Sequence, residues 1–148
     1  MKRVLFILII LILLSSGCVE NSESNTAPAI DEKLETAPHI EVIHFHGTNQ
    51  CYSCQAVGAL AEETVNTHFA EDLESGKLVF MHVNSDLPEN KQLVQRYGAA
   101  YSSLWIGTYT GEDFSAEQDV NVWYLINDRG KYMSYLSEVV DEKLEGLE

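Results

Sequence analysis

The chain has 148 residues, within the usual range for a single domain. It carries 23 acidic against nine basic residues, a formal net charge of −14. Such an excess of negative charge argues against nucleic acid and against anionic lipid heads as partners. It reads first as a solvated acidic surface and only second as a docking face for a basic partner.

Lys2 and Arg3 precede an unbroken apolar run from Val4 to Leu14. That run is short for a membrane span and right for the core of a signal peptide, so residues 1–17 are assigned to a leader. The segment "LSSGCVE" follows, with Gly17 before Cys18. It resembles a lipobox, where a signal is cut and the cysteine takes a lipid, although Ser15 stands where leucine is usual. Small residues beside one cysteine favour lipidation of Cys18; the alternative is ordinary secretion with Cys18 as a free thiol. With Cys18 so assigned, Cys51 and Cys54 remain as a pair, and export places them where disulfides persist.

Residues 18–38 form an acidic linker. Their stretch "VENSESNTAPAIDEKLETAP" lacks aromatics and periodicity and is rich in Ser, Asn, Glu and Pro. Such a tether reaches roughly 70 Å when extended and averages nearer ~25 Å as a flexible coil. The expected location is the outer face of the cell membrane, held by a lipid anchor.

A domain over residues 39–148 is long enough for one core. His39 to Gly47 is predicted as a strand from its β-branched and aromatic content. Val57, Ala61, Val65 and Phe69 recur at four-residue steps, predicting a helix that Ser75-Gly76 closes. Lys77 to Asn84 is a second strand. Asp86 as cap, Pro88 in the first turn, an apolar side of Leu93, Val94 and Tyr97, and Gly98 as stop predict a second helix. "SSLWIGTY" is a third strand. Strands separated by helices usually lie parallel, so the order predicts an α/β or α+β class with helices over a central sheet.

"YTGED" can turn the chain into a short fourth strand near Phe114. "NVWYLIN" is strand-like by composition but equally a helical turn or two. A last helix is predicted from about Gly130 to Leu147, with Tyr132, Leu136, Val139, Val140 and Leu144 on one face. Trp105, Trp123, Tyr124, Tyr132 and Tyr135 fall at core-like spacing. Glu62, Glu63, Glu71, Asp72 and Glu74 read as a solvated helix face.

The chemistry concentrates in "HFHGTNQCYSCQ", His44 to Gln55. Cys51 falls after a strand and a polar loop, where a helix begins. Free N–H groups there favour negative charge, hence the thiolate that attacks disulfides. Cys54 lies one turn deeper. The expected roles are Cys51 as nucleophile and Cys54 as resolving cysteine. A lone C-x-x-C is a weak signal, but one at a strand-to-helix junction in a β-α-β context is stronger. An inert staple is the bland alternative, although so short a loop constrains the unfolded chain little.

The sharp alternative is a zinc or copper site made by His44, His46, Cys51 and Cys54. His44 and His46 are two apart on a strand and so share a face. No second C-x-x-C or H-x-x-x-H supports it. His44 could instead accept the proton of Cys54, or be a buried histidine with a satisfied hydrogen bond. His46 is placed to bias the Cys51 thiolate. His68 and His82 read as packing or surface residues. No GxGxxG, P-loop, Gly-x-Ser-x-Gly or His-Glu-x-x-His is present.

Strand, C-x-x-C at a helix start, strand, helix, strand resembles the thioredoxin fold over most of residues 40–146. More narrowly, "FHGTNQCYSC", "FAEDLESGKLVF", "NSDLPEN" and "YSSLWI" look like the small exported thioredoxin-like proteins known as ArsF-type subunits of nitrophenyl-compound nitroreductases. The resemblance implies a three-layer α+β sandwich with a central mixed sheet, an N-terminal βαβ unit, a short hairpin and a C-terminal helix. It implies that "NVWYLIN" is a short helix, and that Cys51 and Cys54 do thiol–disulfide chemistry beside a membrane protein that passes electrons across the bilayer. No cofactor is implied, and nothing in the chain resembles a flavin site. Departures are present too. Tyr101-Ser102-Ser103-Leu104 stands where thioredoxins place a cis-proline, and His44 stands where they keep a buried aspartate.

The function expected from all this is a membrane-tethered thiol–disulfide oxidoreductase. Its partners would be a membrane electron-transfer protein and an exported protein bearing a disulfide. A metal-binding lipoprotein and a redox-inert adaptor are the competing expectations.

Overall fold

A computed structural model describes residues 37–147. The assignments for the leader, for Cys18 and for most of the linker lie outside the described residues. The elements are β1 (His39–His46), α1 (Tyr52–His68), α2 (Ala70–Ser75), β2 (Leu78–Asn84), a 3-10 turn (Pro88–Asn90), α3 (Lys91–Tyr97), β3 (Ser103–Thr110), β4 (Asp113–Asp119), α4 (Val122–Leu125) and α5 (Arg129–Glu145).

The sheet runs in the order β2-β1-β3-β4. β1 pairs parallel with β2 and antiparallel with β3, and β3 pairs antiparallel with β4. Two layers of apolar packing enclose it. Ile40 and Val42 of β1 pack with Val57, Ala61 and Val65 of α1 and with Tyr132, Leu136 and Val140 of α5. Ile43 and Phe45, on the other face, pack with Tyr97 and with Leu93 and Val94 of α3. Helices on both faces of a mixed four-stranded sheet give the thioredoxin-like α/β sandwich. The Tyr132 hydroxyl donates to the Val57 carbonyl at 2.8 Å and ties α5 to α1.

Alternating helices and strands led to a parallel third strand, and here the structure differs. β3 is antiparallel to β1. The only helix between β2 and β3 with α geometry is α3, seven residues long. It covers about 10 Å, while eight-residue β3 covers about 26 Å. The connection is too short in helix to carry the chain back along the sheet, so β3 starts from the end where β2 stops.

Three local expectations are also corrected. The first helix ends at His68, because Phe69 leaves helical geometry (φ −127°, ψ 33°) to bury its ring, 3% exposed. Asp86 caps no helix; its carboxylate accepts the Thr48 N–H at 2.7 Å instead. Tyr124 is 84% exposed, not core. "NVWYLIN" contains the short helix α4, and the fourth strand covers Asp113–Asp119.

Candidate redox site

β1 ends at His46, and the loop that follows is pinned before α1 begins. Ser85 N–H donates to the His46 carbonyl at 2.7 Å, Asn84 Nδ2 donates to Thr48 Oγ1 at 3.1 Å, and Asp86 holds Thr48. The Thr48 N–H and then its hydroxyl keep the Asp86 carboxyl below its usual range. The loop therefore delivers Cys51 to a fixed place.

Cys51 is the N-cap of α1, in extended geometry (φ −74°, ψ 166°). Its Sγ accepts the Cys54 N–H at 3.2 Å. The first turn of α1 carries no acidic residue to offset the helix field. Cys51 and Cys54 are joined in a disulfide, with Cα atoms 5.1 Å apart, inside the range such a bond requires. Cys51 is exposed and Cys54 half-buried, so the pair has an outer and an inner residue.

Beneath this turn lies His44, 1% exposed. Its register partners are His82 on β2 and Leu104 on β3. Its Nδ1 lies 3.0 Å from His82 Nδ1. Its ring lies so close to Gly58 of α1 that a Cβ there would fall 2.2 Å from Nδ1. Burial, then the neighbouring His82 and His46, lower its pKa to about 4; the Cys54 backbone acts weakly in the opposite direction. His44 is therefore a neutral imidazole at pH 7. Its Nε2 is enclosed and has no hydrogen-bond partner of good geometry among the described residues.

His46 is half-buried, and its Nδ1–H donates to the Gly47 carbonyl at 2.9 Å. Its ring stacks on that of His44, centroids 5.4 Å apart. His82 is exposed on its outer side, and its Nε2 lies 3.3 Å from Glu62 Oε2. His68 is a surface residue.

The alternative of a metal site at His44, His46, Cys51 and Cys54 is not formed in the disulfide state described, where the two sulfurs are bonded to each other. Among the described residues no group of three or more His, Cys, Asp or Glu side chains is arranged to hold a metal ion.

Sequence inspection missed His82 and Gly58. The signal for His82 was present: His44 and His82 each stand two residues before the last residue of strands that end side by side. It also missed Glu41, on the opposite face of β1. Glu41 is 7% exposed and accepts hydroxyls from Tyr97 at 2.5 Å and Tyr109 at 3.1 Å. Burial and then Glu41 push the Tyr109 hydroxyl up to about 12 and the Tyr97 hydroxyl higher still. This cluster is separated from the cysteines by the sheet and serves packing.

No family model matches the chain. No curated protein matches it. Among solved structures it is similar to the human ERp44 zinc-bound form, at 19% identity and a TM-score of 0.42, over 74% of this chain. The chain spans 29% of that protein's length. The thioredoxin-like topology rests on the strand order and pairing described above, and the site on its own geometry.

Proposed function

We propose that the protein is a thiol–disulfide oxidoreductase working outside the cytoplasm, tethered to the membrane through Cys18 and the 18–38 linker. The observation that carries this is the Cys51–Cys54 disulfide at the start of α1, with Cys51 exposed and Cys54 half-buried. The short motifs shared with the exported nitroreductase-subunit proteins support the same conclusion.

In the reduced protein the Cys51 thiolate attacks a partner disulfide, forming a Cys51–partner bond and releasing one partner thiolate. The Cys54 thiol then attacks Cys51 Sγ. Its proton goes to His44, the Cys51–Cys54 disulfide forms, and the second partner thiolate leaves. Two electrons pass from the cysteine pair to the partner. A dithiol reductant must restore the pair, and in an oxidising compartment its electrons come through a membrane redox protein.

Replacing Cys54 with Ser removes the resolving thiol. Such a variant is expected to accumulate partners on Cys51 as mixed disulfides, seen as reductant-sensitive adducts by non-reducing electrophoresis and mass spectrometry. Absence of adducts on a reactive, reduced Cys51 would leave the pair as an inert staple.

A further inference from the structure

The large apolar side chains left exposed among the described residues are not scattered. Tyr52, Leu87, Tyr101, Val120 and Tyr124 all lie at the end of the sheet where β1 delivers Cys51. Val120 and Tyr124, 53% and 84% exposed, stand on the connection that leaves β4. Two further features meet them there.

The first is a free strand edge. Among the described residues β4 pairs with β3 alone, so alternate residues turn N–H and C=O groups outward. Its last residue, Asp119, is in register with Leu104, which itself faces His44 on β1. β4 therefore ends level with the strand that delivers the cysteines, two strand spacings or about 10 Å away.

The second is an acidic cavity of about 380 Å³ between the end of β4 and α5. Glu117, Asp119, Val120, Tyr135, Glu142 and Lys143 line it. Lys143 Nζ lies 2.5 Å from Glu117 Oε1 and so answers one of the three carboxylates. Asp119 is 7% exposed, and its Oδ1 accepts the Asn121 N–H at 2.8 Å and the Tyr135 hydroxyl at 3.2 Å. Its Oδ2 has no hydrogen-bond partner among the described residues. A buried carboxylate with one oxygen unpaired favours a further donor, and a charged one most.

We propose that the β4 edge and this cavity dock the protein partner through an extended segment that carries an arginine or lysine beside an apolar residue. This rests on the exchange function proposed above and names the chemistry by which its partner is recognised.

The surface selects that occupant. A strand added to β4 satisfies the outward N–H and C=O groups. Its cation enters the cavity against Asp119 and Glu142, and its apolar neighbour covers Val120 and Tyr124. A second copy of this chain is disfavoured: antiparallel pairing of two β4 strands about Ala116 sets Asp113 opposite Asp119, and like charges so placed repel. The net charge of −14 likewise repels a second copy and attracts a basic segment. From β4 the segment reaches Cys51 across about 10 Å, roughly three residues of extended chain.

The test uses the reduced protein and two peptides of alternating threonine and valine. One carries an arginine–phenylalanine pair and the other has glutamate in place of the arginine. Each ends three residues later in a cysteine held as a mixed disulfide with glutathione, and mass spectrometry follows loss of that disulfide. The arginine peptide is expected to react about tenfold faster than the glutamate peptide. Glu142→Gln and Val120→Ser should each cut its rate about threefold or more, and added salt should weaken the preference. Glu71→Gln makes the same charge change on α2 and should leave the rate within about 1.5-fold. Glutathione disulfide, too small to span the surface, should react within about twofold of wild type in every variant. In the oxidised protein, an arginine peptide without cysteine should shift the amide signals of residues 113–121. Equal rates for the two peptides, equal losses from Glu71→Gln and Glu142→Gln, shifts confined to the cysteine turn, or a dimer formed through β4 would each overturn the proposal. Failure of the wild-type protein to react with glutathione disulfide, with the shifts on β4 intact, would instead remove the exchange function and leave the docking surface.

Discussion

Gly58→Ala gives the sharpest structural test of where His44 sits. In an exposed helix interior this change is stabilising, by about 1 kcal/mol of helix propensity. Here the new Cβ would lie 2.2 Å from His44 Nδ1, 2.6 Å from Cε1 and 2.9 Å from Cγ. These are ring atoms of a side chain with 1% exposure, not the tip of a flexible one, so relief requires the ring or α1 to shift. Overpacking of this kind costs about 1–3 kcal/mol. Displacing the ring also breaks its hydrogen bond to His82, worth about 1 kcal/mol. Set against the propensity gain, the net expectation is a loss of about 1–3 kcal/mol. Urea unfolding with the disulfide intact measures it, as a midpoint lower by about 1 M for a domain of this size. In a His44→Ala background the same Gly58→Ala change should become neutral or stabilising, a coupling that only direct contact produces. A Gly58→Ala variant at least as stable as wild type in the presence of His44 would refute the placement.

Other consequences follow from the buried groups. His44 titrates near 4 in the folded protein against 6.5 for the free side chain. Between those values the unfolded chain binds more protons, so stability is complete above about pH 6.5 and falls as pH drops towards 4. The full difference is about 3 kcal/mol. Urea midpoints measured across that range should decline, and His44→Leu should flatten the profile. On the other face, Tyr97→Phe removes one of the two hydroxyls that serve the buried Glu41 carboxylate. It is expected to cost about 1–3 kcal/mol. Gly107→Ala should be destabilising for the related reason that its Cβ would stand 2.0 Å from the Tyr97 hydroxyl. Equilibrium unfolding checks both, and Tyr97→Phe should relieve part of the Gly107→Ala cost.

Much of this molecule was legible in its sequence because the relevant signals are local. Four-residue spacing of Val57, Ala61 and Val65, β-branched runs at His39–His46 and Leu78–Asn84, and glycine stops at Gly76 and Gly98 each act within a turn or a strand. The Cys51–Cys54 pair at a helix start is equally local, since three residues span the whole bond. What local signals do not carry is which strands become neighbours. The sheet order β2-β1-β3-β4 sets His44 beside His82, and only then does Glu62 of α1 come within reach of the pair. The same order buried Glu41 between Tyr97 and Tyr109 and turned β3 antiparallel. The cysteines, and the chemistry they permit, were written in consecutive residues. The environment of His44, a buried imidazole enclosed against Gly58 and beside His82, exists only where three distant segments pack together.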